Sequence, residues 1–354
     1  MAKSIFSNFR SLEKFGEDIT KIVEIPEEFT LTNVAFNKPY LMLMFVNLRD
    51  YPYSFRVVII HYLTKQIITD YSDVIDGDYY YSVANWVDFD ISNEFDFVFG
   101  KYLYKYDMAT KTYTKIQIFP DVAYNVKWVG KKALVVGYYE YCTLYFAVYD
   151  KENDNVNQTT ITGYGIYSYP IYDKTVNKYY ISTDYNNIFE IDLETLETQT
   201  LTLPTYCFGF LVLQNPLRFV YVSSDGKVHL FDTTNNTDTI IKDLADYYDG
   251  FFSVGFAKAD QENKRIFVSS MDKFWQNYQV LFLYDYATNQ VERIGIFDYI
   301  ANITFQKDKN KLFITDFGFY ITHNVFVSLG SVKSLGFINA DEIISTFKNF
   351  VEVL

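Results

Sequence analysis

The residues that most often carry catalysis or bind metals are few and scattered in this sequence. The three histidines, His61, His229 and His323, fall on or near different strand-like segments, whereas a metal site needs several ligands at one point. The chain holds no GxSxG, HExxH, P-loop or strand–helix GxGxxG motif, the patterns of nucleophilic, zinc, phosphate and dinucleotide sites. We therefore expect the histidines to be ordinary strand residues, and Ser/His/Asp chemistry has no support.

Carboxylates are plentiful, but their spacing offers little chemistry. Asp88 and Asp90 lie two residues apart on one strand-like run, so both point to the same side. General acid–base chemistry would need a second carboxylate across from them, and the corresponding runs supply none. The loop 150–155 resembles the start of a calcium loop without its glycine and distant glutamate. The sequence thus predicts no enzyme, no cofactor and no metal.

Composition and charge exclude several classes of protein. The chain has 354 residues and a formal charge of −13, which disfavours nucleic-acid binding. Hydrophobic residues make up 49%, which excludes disorder over most of the length. Two cysteines cannot form a disulfide framework, and no window approaches a membrane-spanning apolar run. We expect a cytoplasmic protein with no transmembrane segment and no secretory signal, and a virion is the alternative location.

Short runs rich in Tyr, Phe, Val and Ile recur along the chain and predict an all-β protein. In one recurrent unit a strand ends in an aromatic or aliphatic residue followed by Asp, a polar turn and another strand. The Asp side chain can accept hydrogen bonds from backbone amides two residues on and so fix a hairpin. The five copies place this residue at Asp107, Asp150, Asp192, Asp232 and Asp285.

A second unit recurs with a small polar residue or Cys first, a large apolar residue second and usually a small residue third. Its copies are 39 to 52 residues apart, a period typical of four-stranded β-propeller blades. We expect the first positions to surround the mouth of a central channel, either bonding at strand starts or holding a small polar ligand. These positions are Asn33, Asn85, Asn125, Ser168, Cys207, Ser253 and Asn302.

With these repeats, the chain resembles the seven-bladed β-propellers of the broad WD40, YVTN and quinoprotein-like group. The resemblance covers roughly residues 19–338 and rests on blade rhythm and on units such as VYVSSDGKVHLFD, although the Gly-His and Trp-Asp pairs of WD40 repeats do not occur. It implies seven blades of four antiparallel strands and no particular activity.

The ends of the chain are predicted to lie outside this repeat. Residues 1–18 and 339–354 have apolar residues at helical spacing, which predicts a helix at each end. Residues 19–25 read like an outer strand, so we expect them to complete the last blade and close the ring. The segment 331–338 is the alternative outer strand.

The loops at one face, here called the top face, are crowded with Asp and Tyr, whereas the opposite loops carry Lys. Exposed tyrosines favour protein contacts, and the carboxylates favour basic partners. The leading hypothesis is therefore a non-catalytic scaffold that binds a protein or peptide, which the charge suggests is basic. The predicted contact residues are Asp76, Asp78, Tyr79, Tyr80, Tyr81, Tyr164, Tyr206, Asp246, Tyr247, Tyr248, Asp249 and Tyr299.

Two other functions stay open at this point. A propeller hydrolase or lactonase-like enzyme would use a channel carboxylate or a metal. A viral structural or host-surface-binding protein is the third hypothesis, because the excess of Tyr and Phe with few Arg resembles proteins from viruses of thermophilic archaea. The abundant Asn argues against a high-temperature origin.

Overall fold

The structure is a computed structural model of the chain. It describes residues 29–37, 39–47, 52–61, 64, 66–75, 89, 95–139, 143–162, 170–183, 186–273, 279–297, 300–305, 311–316, 319–322, 325–328 and 334–339. The regular secondary structure of these residues is β-strand, apart from one 3-10 helix at Leu244–Tyr247. The all-β prediction is confirmed.

The chain divides into two compact units, 1–162 with 301–338 and 163–300 with 339–354. In the first unit three antiparallel sheets follow one another, in the orders β1-β2-β3-β4, β5-β6-β7 and β11-β10-β9-β8. Their strands are β1 (Thr30–Asn37), β2 (Tyr40–Asn47), β3 (Ser54–His61), β4 (Gln66–Val74), β5 (Phe97–Phe99), β6 (Tyr102–Asp107), β7 (Thr112–Gln117), β8 (Ala123–Val129), β9 (Lys132–Tyr139), β10 (Thr143–Asp150) and β11 (Asn155–Thr162).

The second unit holds three four-stranded sheets, each with its strands in chain order. Their strands are β12 (Ile171–Asp173), β13 (Lys178–Thr183), β14 (Asn187–Asp192), β15 (Thr198–Thr202), β16 (Gly209–Leu213), β17 (Arg218–Val222), β18 (Lys227–Asp232), β19 (Thr237–Asp243), β20 (Phe251–Asp260), β21 (Arg265–Asp272), β22 (Gln279–Asp285) and β23 (Gln290–Phe297).

The last strands form a sheet of order β24-β25-β28 and a separate pair, β26-β27. They are β24 (Ile300–Phe305), β25 (Lys311–Asp316), β26 (Phe319–Thr322), β27 (Val325–Ser328) and β28 (Ser334–Asn339). The segment 331–338 thus overlaps a strand that lies beside β25. The predicted closing strand 19–25 and both predicted terminal helices fall outside the described residues, apart from Asn339 at the end of β28. Ring closure and the number of seven blades stay predictions.

The recurrent Asp fixes the turn before the last strand in each of five sheets. Asp107 accepts a hydrogen bond from the Ala109 amide at 2.7 Å, and Asp192 accepts one from Glu194 at 2.8 Å. Asp150 and Asp232 accept from the amide two residues on in the same way, at 2.9 and 2.8 Å, and Asp285 accepts from the Thr288 amide, three residues on, at 3.1 Å. The fourth residue after each Asp has a positive φ, between 49° and 59°. These residues are Lys111, Asp154, Leu196, Asn236 and Asn289.

Small residues of the second repeat let neighbouring sheets of the second unit approach closely. A Cβ built on Gly209 of β16 would lie 2.7 Å from the Cβ of Ala257 on β20. Real Cβ atoms do not approach so closely, so glycine is required where these two strands meet. In this copy the third position is therefore small because a neighbouring sheet occupies the space.

Many of the aromatic residues in the described part of the chain lie in the interior. In the first unit Phe55, Phe97, Phe99 and Tyr104 form an aromatic cluster between the sheets β1–β4 and β5–β7, with all four side chains buried. The Phe97 and Tyr104 rings stack at 4.8 Å, and the Phe55 and Phe99 centroids are 4.3 Å apart. The Tyr104 hydroxyl donates to Asp73 at 3.3 Å. Tyrosine thus fills the core with its ring while its hydroxyl reaches a polar partner.

Candidate binding surface

Five of the predicted top-face residues lie within the described part of the chain, all of them in the second unit. Tyr206 belongs to the link between β15 and β16, and its side chain is 50% exposed. The other four lie together in the equivalent link between β19 and β20. The residues outside the described part are Asp76, Asp78, Tyr79, Tyr80, Tyr81, Tyr164 and Tyr299.

Residues 244–252, here called the aromatic loop, present three of these side chains to solvent, those of Asp246, Tyr247 and Asp249. The 3-10 helix begins after Asp243, whose carboxylate accepts from the Ala245 amide at 3.0 Å. Leu244 is fully buried and anchors the loop. Asp246 is exposed, and Tyr247 is 41% exposed. The local sequence therefore buries its apolar residue and turns its carboxylate and phenol outward.

Tyr248, a residue of the aromatic loop, attaches the loop to the neighbouring strands. Its hydroxyl donates to the Asp272 carboxylate, and the Arg293 guanidinium lies 5.5 Å from its ring centroid. Burial, with the hydrogen bond and charge of Asp272, raises the pKa of Tyr248 to about 12. Of the two adjacent tyrosines, Tyr247 is thus the exposed one and Tyr248 is half-buried.

Phe252 is a surface residue that the sequence analysis missed. Phe251 pairs with Asp272 and Ser253 pairs with Met271, so Phe252 is the extra residue of a β-bulge. The bulge leaves its side chain 66% exposed, in line with the role of bulges in re-aiming side chains. The sequence signal that could have found it is the pair Phe251 and Phe252 at the start of β20. The alternation of buried and exposed residues along a strand does not show which of the two rings is buried when a bulge interrupts it.

The turn between β17 and β18 holds both ends of the aromatic loop by backbone hydrogen bonds. The carbonyl of Gly226 accepts from the Leu244 amide at 3.1 Å, and that of Ser224 accepts from the Val254 amide at 2.9 Å. Gly226 has φ +82°, and a Cβ there would lie 2.2 Å from the Phe251 ring. Glycine is thus needed both for the backbone conformation and for the contact with Phe251.

Beneath this turn the structure brings together a histidine, a serine and an aspartate. The Nδ1 of His229 lies 2.8 Å from Asp238 Oδ2, and its Nε2 lies 3.2 Å from Ser223 Oγ. The Tyr221 ring stacks on the imidazole at 4.7 Å, and its hydroxyl donates to Asp238 at 3.3 Å. The hydrogen-bonded series Ser223, His229 and Asp238 matches the nucleophile, base and carboxylate of a catalytic triad. The sequence analysis had found no support for such chemistry. The three residues come from β18, β19 and the turn after β17, so only tertiary structure joins them.

Burial indicates a structural role for this cluster. Ser223 is only 3% exposed, so its oxygen is closed to a substrate. In the next sheet, at a different register position, the Ser269 hydroxyl of β21 donates to Gln279 Oε1 of β22 at 2.7 Å. In both sheets a buried serine thus bonds a polar side chain of the third strand.

Of the residues predicted for the channel mouth, three have side chains that the structure describes, and none of these three is fully exposed. Asn125 on β8 and Cys207 before β16 are buried, and Ser253 on β20 is half-buried. Cys207 is a free thiol, and burial raises its pKa to about 12. The backbones of Asn33 and Asn302 lie in β1 and β24, and Asn85 and Ser168 fall outside the described residues. Their arrangement around one channel stays a prediction.

The calcium-like loop is an ordinary hairpin turn. Asp150 accepts from the Glu152 amide and the Asn153 side chain, and Asp154 pairs with Lys105 at 2.6 Å. Within the described residues no three His, Cys, Asp or Glu side chains are grouped as metal ligands. No described helix is long and apolar enough to cross a bilayer.

Comparison with known proteins identifies the fold. No protein-family model matches the sequence, and no curated protein matches it. The structure is similar to an acylaminoacyl peptidase of Pyrococcus horikoshii, with a TM-score of 0.52 and 12% identity over 86% of this chain. It is also similar to the β-propeller domain of the Trilobed protease from Pyrococcus furiosus, reported to have an open velcro topology, with a TM-score of 0.51 and 13% identity.

The chain therefore has a β-propeller fold, as the resemblance in sequence predicted. It covers 98% of the Trilobed protease propeller chain and 53%, about half, of the acylaminoacyl peptidase chain. The prediction that the chain is not an enzyme is corrected by these findings, because the two structures named here come from a peptidase and a protease. At 12% and 13% identity the likeness establishes the fold alone.

Proposed function

We propose that this β-propeller binds a basic protein or peptide segment through the aromatic loop. The observation that carries the proposal is the exposure of Tyr247 and Phe252 beside the carboxylates of Asp246 and Asp249. Residues 244–252 contain no Lys or Arg. Exposed aromatic side chains beside charges of one sign are typical of surfaces that select an oppositely charged partner.

The support beneath the loop favours binding. The buried Leu244, the Tyr248–Asp272 hydrogen bond and the Phe251 contact with Gly226 hold the loop in one conformation. A surface that is ordered before binding loses less conformational entropy when the partner docks. The two exposed rings are therefore held ready for contact.

The proposal is tested with an array of synthetic peptides, half rich in Lys and Arg and half rich in Asp and Glu. We expect the basic peptides to bind selectively and the binding to weaken as salt is raised. Phe252→Ser should weaken it about tenfold or more, which corresponds to ~1.4 kcal/mol. The matched control is Ile240→Ser, because Ile240 is 55% exposed on β19 of the same unit. Equal losses in both variants, or no preference for basic peptides, would contradict the proposal.

A second candidate function is peptide cleavage, which the names of the two matching proteins suggest. Incubation of the chain with acylaminoacyl peptides and detection of released products would test it. Products that form in proportion to the amount of chain would favour cleavage. The viral hypothesis rests on composition alone and stays a prediction.

A further inference from the structure

We infer that the free edge of β11 pairs with the same edge of a second copy of this chain. The inference concerns a strand of the first unit and goes beyond the proposed binding of peptides by the aromatic loop. The contact joins one sheet of each copy into a continuous antiparallel sheet through main-chain hydrogen bonds.

The free edge of β11 is long and regular. β11 is the last strand of its sheet in chain order, here called the edge strand of that sheet, and β10 is its one partner among the described strands. All eight residues of β11 pair with β10 without a bulge. The backbone N–H and C=O groups that point away from β10 therefore form an uninterrupted row, about 27 Å long at ~3.4 Å per residue.

Four other edge strands carry features that hinder such pairing. β4, β19 and β23 each have a bulge and at least two charged residues, and β7 carries Lys115. Bulges and charged side chains are the usual means by which proteins keep sheet edges from pairing.

β11 has neither of these features, since its sequence is NVNQTTIT and its register is unbroken. The edge strands β15, β27 and β28 are uncharged as well, but they have only four to six residues. β11 is thus the longest uncharged edge strand in the described part of the chain.

β11 is also complementary to itself. In an antiparallel pair related by a two-fold axis, the central residue lies opposite its own copy, and its neighbours on either side lie opposite each other. With the axis at Gln158, Asn157 faces Thr159 and Val156 faces Thr160. No pair sets like charges against each other, and each pair shares one face of the sheet because its positions differ by an even number.

Gln158 suits the position on the axis. Its side chain is exposed in the single chain. A glutamine amide both donates and accepts hydrogen bonds, so two copies that face each other can bond across the axis.

The net charge gives this contact a distinctive dependence on salt. Each copy carries −13, so two copies repel each other, and the uncharged edges supply no ion pair to offset the repulsion. Added salt screens the repulsion. We therefore expect self-association to strengthen as salt is raised, whereas the proposed peptide binding weakens. One strand edge is smaller than a standard interface of ~1,600 Å², so the dimer should form only at high protein concentration.

The experiment is sedimentation equilibrium of the whole chain between about 5 μM and 500 μM, with the dissociation constant of the dimer as the readout. Gln158→Lys sets two like charges opposite each other and should raise this constant about fivefold. The matched control is Thr239→Lys, which makes the same change in net charge at an exposed position of β19. It should stay close to the wild type.

An exchange of charges tests the register. Gln158→Glu should weaken association as Gln158→Lys does, and an equimolar mixture of the two variants should restore it, because Lys then faces Glu across the axis. If Gln158→Lys fails to fold, the wild-type series and Gln158→Glu still test the contact. The inference is overturned by a wild type that stays monomeric, by equal losses in Gln158→Lys and Thr239→Lys, or by a mixture that associates no better than either variant.

The outcomes for self-association and for peptide binding can be told apart. A monomeric wild type that binds basic peptides would overturn the pairing of β11 alone. A dimer that binds no peptide would overturn the proposed function alone.

Discussion

In the first unit the aromatic cluster of Phe55, Phe97, Phe99 and Tyr104 is closed to solvent, whereas in the second unit the aromatic loop holds Tyr247 and Phe252 in solvent. The residue types are the same, and the surroundings differ. The cluster lies between two sheets, while the loop lies in a link where a bulge turns one ring outward. A high content of Tyr and Phe therefore does not by itself indicate a binding surface, and exposure has to be shown residue by residue.

The largest expected effect tests the closed cluster. Tyr104→Ala removes a buried ring that stacks on Phe97, so we expect a loss of about 3–5 kcal/mol in the free energy of unfolding. Phe252→Ser, the exposed counterpart, should change it by less than ~0.5 kcal/mol. Urea denaturation of both variants checks the contrast. Similar losses in the two would break the comparison between cluster and loop.

The next effect concerns the close approach of β16 and β20. Gly209→Ala places a methyl group against Ala257, and we expect a loss of about 1–3 kcal/mol from overpacking. Gly255→Ala is the matched control, because the nearest atom to a Cβ there lies 3.6 Å away. Thermal denaturation should show a lower Tm for the first variant only. An unchanged Tm for Gly209→Ala would mean that the strands can move apart freely.

A smaller effect tests whether Tyr248 supports the loop. Tyr248→Phe removes the hydroxyl that donates to Asp272, which should cost ~1 kcal/mol at neutral pH. Because folding raises the pKa of Tyr248 from 10.0 to about 12, its contribution is present below pH 10 and is lost as pH rises through 12. The stability difference between wild type and variant should therefore shrink between pH 10 and pH 12. A difference that grows with pH would show the opposite linkage.

The smallest effect compares equivalent turns. Leu196 adopts φ +58° at a position where another copy has Asn236 with φ +51°. Leucine is strained in this region and glycine is not, so Leu196→Gly should stabilise the chain by about 0.5 kcal/mol. Asn236→Leu should destabilise it by a similar amount. Chemical denaturation checks both signs, and equal signs would contradict the shared turn geometry.

The sequence predicted well what local chemistry decides. The strand runs, the Asp-fixed turns and the small residue at Gly209 follow from side-chain type and repeat spacing, and the structure has them where expected. The fold class followed from the same rhythm. Each of these features needs only neighbouring residues or the period of the repeat.

The sequence predicted poorly what depends on register and tertiary contact. Phe252 is exposed because of one extra residue in β20. Tyr248 is half-buried because it contacts Asp272 and Arg293, which lie on other strands. His229 meets Ser223 across strand pairing that no motif records. Reading alternation along one strand cannot recover these contacts, since each needs the partner strand to be known.

Gly226 lies directly under the Phe251 ring, and this has a consequence for protein engineering. The two positions form a matched pair, so a graft of the aromatic loop onto another propeller has to carry the turn Ser223–Lys227 with it. A recipient with any side chain at the glycine position would push the transplanted ring outward. Diversification of the loop by mutagenesis is for the same reason best confined to its outward residues, Asp246, Tyr247, Asp249 and Phe252.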